Sequence, residues 1–135
     1  MTFRFLEHTA DARVECQAPS FEALLESAAQ ALYAITLREP RAAIEEERVI
    51  DVSGGGREDI LVRWLQELVF LLEVGRFVAV TFAFDAVEAG RVRARLRGYL
   101  CTPEERAEEV KSATYHELEV IETGEGWLAR VILDL

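Results

Sequence analysis

Apolar positions recur along this chain with two different periods, and each change of period marks the boundary of an element. The chain reads as extended from Phe3 to Glu7, and His8-Thr9-Ala10-Asp11 then breaks the alternation. Ala12, Val14, Cys16 and Ala18 next alternate with Arg13, Glu15 and Gln17, which predicts a half-buried strand with Asp11 at its entrance. Pro19-Ser20 closes that strand, and Ser20 is a good N-cap. Phe21, Leu24, Leu25, Ala28, Leu32 and Ile35 then mark one face of a helix over residues 21–37, which ends before Pro40.

A polar, irregular stretch leads to a short strand at Val49-Ile50-Asp51-Val52 and then to Gly54-Gly55-Gly56. No GK[ST] follows these glycines, so they read as a flexible entry to a second helix rather than a phosphate loop. Glu58 and Asp59 in the first turn suit the positive end of the helix dipole. The helix, over residues 59–74, carries Leu61, Trp64, Leu65, Leu68, Leu71 and Leu72 on one side, and Gly75 is placed as the residue that terminates it. Both helices read as one-sided covers for a sheet.

Residues 77–84 are apolar on both faces, which predicts an interior strand. Arg91, Arg93, Arg95 and Arg97 then alternate with Val92, Ala94, Leu96 and Gly98. Such a ladder reads as a solvated face paired with acids on neighbouring strands, with RNA contact as the alternative. Thr102-Pro103-Glu104-Glu105 signals a capped helical turn. The chain closes on a hairpin: residues 110–121, a turn at Gly124-Glu125-Gly126, and a return over residues 127–135. Period-2 alternation sets Trp127, Ala129, Val131, Leu133 and Leu135 on one face and leaves Asp134 on the other. The expected fold is therefore α+β: a single layered domain spanning residues 1–135, with mainly antiparallel sheet covered by two main helices.

Composition narrows the function. With 135 residues, half of them hydrophobic, one proper core is expected, and no run is long enough to cross a bilayer. No export signal is visible, so a cytoplasmic location is expected, with Cys16 and Cys101 as buried reduced thiols. The formal charge of -10 disfavours direct, non-specific nucleic-acid binding. Every other basic side chain is Arg, which singles out Lys111 as the one lysine.

Two polar groups stand apart: His8, Thr9 and Asp11 near the start, and Lys111, Ser112, Thr114, Tyr115, His116 and Asp134 near the end. If the strands that carry them are neighbours, Asp11, Asp134 and the terminal carboxylate repel one another unless a cation, a base or protonation relieves them. A hard cation such as Ca²⁺ or Mg²⁺ is one solution. The plainer alternative has Asp11 capping a turn, Asp134 paired with an Arg, and both histidines as structural polar groups. A metal-dependent hydrolase would use His8 or His116 as base and Ser112 or Thr114 as nucleophile, yet no GxSxG, HExxH or zinc spacing supports it.

At His8-Thr9-Ala10-Asp11, at Lys111-Ser112-Ala113-Thr114-Tyr115-His116 and at Val131-Ile132-Leu133-Asp134-Leu135 the chain resembles the archease family, as it does in the helix with Trp64-Leu65-Gln66-Glu67-Leu68. The resemblance covers essentially the whole chain. Ala12 and Arg13 stand where this family usually has Ile or Val followed by Gly. What the resemblance implies is a non-catalytic protein cofactor of the RtcB-type tRNA-splicing RNA ligase, one that promotes guanylylation of the ligase and its multiple turnover. It further implies calcium or another hard divalent cation held by Asp11, Asp134 and a main-chain or terminal oxygen of Leu135. Lys111 then becomes a partner-facing residue within a functional cluster that includes His8, Thr9, Thr114, Tyr115 and His116.

Overall fold

In the computed structural model, which describes residues 2–6 and 11–135, the two helices lie between two antiparallel sheets. The elements in order are β1 (Thr2–Leu6), β2 (Asp11–Ala18), α1 (Phe21–Thr36), β3 (Glu46–Ser53), α2 (Arg57–Gly75), β4 (Phe77–Glu88), β5 (Arg91–Leu100), a 3₁₀ turn (Pro103–Glu105), β6 (Ser112–Thr123) and β7 (Gly126–Asp134). One sheet has the order β1-β2-β7-β6 and the other β3-β5-β4.

Helix α1 packs on β1, β2 and β7 of the first sheet and on β4 of the second; α2 packs on β6 of the first and on β3, β4 and β5 of the second. Neither helix is therefore a one-sided cover. Leu24, Leu25, Ala28, Ala29, Ala31 and Leu32 are all buried, a spread that no single helical face can hold. Small residues at positions 28, 29 and 31 let both sheets come close to the same helix. The core cluster is continuous from Val14 and Val131 through the helices to Phe77 and Leu96.

Capping explains where the elements start and stop. The Ser20 hydroxyl accepts from the Ala23 N–H at 3.2 Å, as the sequence leads one to expect. The Thr102 N–H donates to Glu105 at 3.0 Å, completing the capping box of the 3₁₀ turn. At the end of α2, however, Gly75 is still helical, and Arg76 adopts the left-handed conformation with φ 58°. The residue that turns the chain lies one position beyond the glycine.

The strand at residues 77–84 is not interior: β4 is an edge, and the Arg-bearing β5 is the central strand. Only Phe77, Val78 and Ala79 are buried in succession. Beyond them Thr81, Ala83 and Asp85 face out while Val80, Phe82 and Phe84 face in, so the outer side is filled by small or polar groups. β5 earns the middle position because Gly98 lies so close to β4 that a Cβ there would sit 1.8 Å from the Val78 carbonyl oxygen. The arginine ladder pairs as anticipated: Arg91 with Asp51 at 2.9 Å, Arg95 with Asp85 at 3.0 Å, and Arg97 with Glu47 at 3.8 Å. The strand proposed at Val49 begins earlier, at Glu46.

Cys16 and Cys101 are buried free thiols, and burial pushes the Cys16 thiol up to about 12. No helix among the described residues is long and apolar enough to cross a membrane.

Candidate functional site

The inward residues of β2 and β7 fix the registry of the site. Ala12, Val14 and Cys16 of β2 must face the helices together with Ala129, Val131 and Leu133 of β7, and a slip of one residue would expose all of them. That registry places Asp11 directly opposite Asp134, and on the other side of β7 it places Ser112 opposite Asp134 as well. Asp11, Asp134 and Ser112 thus form one row across the outer face of the sheet at its end. Directly opposed side chains have Cβ atoms roughly 4.5–5.5 Å apart, and like charges so placed destabilise the pair.

The surroundings of the two acids only partly relieve this. The Arg13 guanidinium lies 4.0 Å from Asp11, but it is closer to Glu117, at 3.0 Å. The Lys111 N–H donates to the Asp134 main-chain carbonyl at 2.8 Å, tying the end of β7 to the entrance of β6. Lys111 itself is exposed, and Leu135 is half buried with its side chain packed against the core. Among the described residues no three or more His, Cys, Asp or Glu side chains are grouped to hold one metal. A cation at this end would take two carboxylates and complete its shell with main-chain, hydroxyl or water oxygens, a donor set suited to a hard divalent ion.

The rest of the polar cluster is divided by a bulge. Pairing passes from Thr114 opposite Ile132 to Glu119 opposite Arg130, so residues 115–118 have a single residue facing them. Glu117 takes a left-handed conformation with φ 52°, uncommon for a side chain of this kind. Thr114 spends its hydroxyl on the Ile132 carbonyl at 3.1 Å. Tyr115 is thrown outwards over α2, where its hydroxyl donates to Asp59. His116 is exposed, its Nε2 3.8 Å from Glu117. Among the described residues no hydrogen bond joins His116 to Ser112 or Thr114. His8 and Thr9 lie outside the described residues.

Sequence reading missed three members of this neighbourhood. Asp59 was legible only as a first-turn acid, Gln66 only as a polar helix position, and nothing marks Glu117 as left-handed. Gln66 uses both ends of its amide on Ala113, donating to the carbonyl and accepting from the N–H at 3.3 Å each, and so closes the edge of β6 there. Asp59 receives Tyr115, the Gly55 N–H and Arg63, and these hold its carboxyl at about 2. Glu15, read as an outward strand residue, is in fact only 3% exposed, clasped by Arg4 at 2.7 Å and Arg130 at 2.8 Å, which lower its pKa.

A pH dependence follows. Both carboxyls have folded-state pKa values below their unfolded ones, so they stabilise the fold above the ordinary carboxylate range and lose that contribution as pH falls through the folded values. For Asp59 the window runs from 3.8 down to about 2. Thermal unfolding should be nearly flat from pH 7 to 5 and fall steeply below pH ~4. Glu15→Gln should flatten that fall while lowering stability at neutral pH.

The Archease protein family matches residues 3–135 of the chain. Protein archease of Archaeoglobus fulgidus is 33% identical, with 100% of both chains covered. Protein archease of Methanosarcina mazei is 32% identical, covering 98% of this chain and 95% of its own. Among solved structures, protein 1598 of Methanobacterium thermoautotrophicum superposes with a TM-score of 0.79 at 28% identity, over 98% of both chains. An archease of Thermotoga maritima, described as a possible chaperone, shares the fold with a TM-score of 0.69 at 21% identity, over 96% of this chain and 94% of that one.

Proposed function

Since the chain belongs to the archease protein family, matched over residues 3–135, we propose that it is a cytoplasmic protein cofactor of the RtcB-type tRNA-splicing RNA ligase and is not itself catalytic. The observation that carries this reading is the family match over residues 3–135, a span that contains Asp11, Lys111 and Asp134. The acidic balance of -10 supports a protein that meets a basic ligase rather than its RNA. Asp11, Asp134 and a main-chain oxygen of Leu135 would hold calcium or another hard divalent ion. Bound there, the ion supplies positive charge between two opposed carboxylates. Lys111, exposed beside this end, is then placed to meet the partner.

A cofactor of this kind favours the nucleotide-competent state of the ligase and so lowers a barrier that recurs in every cycle. The test compares product formed per molecule of the matched ligase, with GTP and excess broken RNA, under addition of wild type or Lys111→Ala. Wild type should give turnover beyond one product per ligase. Lys111→Ala should lose at least tenfold of the stimulation while its response to calcium stays intact. If Lys111→Ala stimulates like wild type, the lysine has no role at the interface.

A further inference from the structure

Among the described residues the two sheets have four edges, and three of them are blunted. β1 has only 5 residues, β4 has two register shifts against β5, and β6 is bulged with Ala113 closed by Gln66. Shortness, bulges and cover are the devices by which proteins stop foreign strands from adding. The remaining edge, β3, is neither short, bulged nor covered, and its only such device is charge, at Glu46, Glu47, Arg48 and Asp51. Its 8 residues pair with β5 in unbroken register, and no strand among the described residues lies on its other side. The Gly54 N–H donates to the Gly90 carbonyl at 3.0 Å. Following that register back, Val52 and Ile50 bond to β5, so Val49, Asp51 and Ser53 turn their N–H and C=O groups outwards.

The open edge borders a groove. About 430 Å³ of space lies between Asp51 and Ser53 of β3, Arg63 and Glu67 of α2, and Tyr115 of β6. This is where the side chains of a strand added to β3 would enter. The arginines here are already engaged, Arg63 by Asp59 and both Arg91 and Arg93 by Asp51. Glu67 has no ion-pair partner among the described residues. One turn further along the same line of α2, Phe70 is 57% exposed, with Val74 beyond it.

We propose that the β3 edge takes up an extended, Lys- or Arg-bearing segment of the partner protein as an added strand, with its basic side chains directed to Glu67 and its apolar ones along α2. Main-chain bonds to β3 supply affinity, and the groove supplies selectivity. A second copy of this chain is a poor occupant, because antiparallel self-pairing about Val49 sets Glu47 against Asp51, two like charges face to face. That the partner is the ligase rests on the reading given under Proposed function.

Hydrogen exchange of the whole chain, alone and with the matched ligase, tests this. Exchange at Val49, Asp51 and Ser53 should slow at least tenfold in the complex. Val49→Pro removes one outward N–H at a position where an edge strand tolerates proline, and it should weaken binding tenfold or more. Glu67→Lys leaves the backbone intact and should weaken it severalfold. A complex that forms with unchanged exchange on β3 and full affinity for both variants overturns this proposal and leaves the ligase reading standing. Absence of any complex overturns both. Protection of β3 in the free protein, with a dimer mass that Val49→Pro halves, overturns it in favour of self-association.

Discussion

Trp64→Ala is expected to lower stability by roughly 3–5 kcal/mol, the range for removing a large buried aromatic from a packed core. Trp64 is fully buried on α2, stacked on Phe84 with ring centroids 5.6 Å apart and tilted against Phe82 at 6.0 Å. Its indole N–H donates to the Leu25 carbonyl of α1 at 2.9 Å. One side chain thus joins both helices to the second sheet, and its loss would also remove the second hydrogen bond on the Leu25 carbonyl, which keeps its partner within α1. Trp64→Phe keeps most of the volume and forfeits the hydrogen bond, so it should cost about 1–2 kcal/mol. Urea unfolding of the two variants measures both. A loss below about 1 kcal/mol for Trp64→Ala would mean that the helices are not locked between the sheets in this way.

The second large effect has opposite signs in two conditions. Asp134 stands directly opposite Asp11, so Asp134→Asn removes a repulsion and should raise stability without metal by about 0.2–1 kcal/mol. Wild type should gain about 2.7 kcal/mol when calcium is supplied at a hundredfold excess over its dissociation constant, and Asp134→Asn should gain almost nothing. Thermal unfolding with EDTA and with calcium reads both arms. Calorimetric titration of Asp11→Asn should show the same loss of calcium binding. If Asp134→Asn is destabilised in EDTA, or keeps a full calcium response, the two acids are not a mutually repelling pair that a cation relieves.

Much of this arrangement was legible in the residues. Alternation in β2 and β7 put Asp11 and Asp134 on the outer faces of their strands, and the inward positions that pair Val14 with Val131 then forced the two acids together. The arginine ladder was legible too, because a strictly alternating charged face on an acidic chain implies acids on the adjacent strands. What stayed hidden was long-range. The run Phe77-Val78-Ala79 is buried on both faces whether its strand is central or lies at an edge beneath a helix, so apolar composition could not distinguish the two. The helices looked one-sided because alanines and Ser27, which line the second buried surface of α1, carry little hydrophobic signal. Nothing in the residues Tyr115 to Leu118 announces a bulge, since its left-handed residue is a glutamate. For that reason the TYH segment read as one cluster, whereas the fold sends Tyr115 to α2 and leaves His116 exposed.

A single-turnover guanylylation assay tests most directly whether this protein acts on the RtcB-type ligase, as proposed. The matched ligase is mixed with labelled GTP and limiting metal, with and without this protein, and formation of the covalent guanylyl-ligase is followed in time. Labelling should be at least tenfold faster with wild type and near-basal with Asp134→Asn, with no label on this protein itself. Equal labelling rates with and without wild type would contradict it.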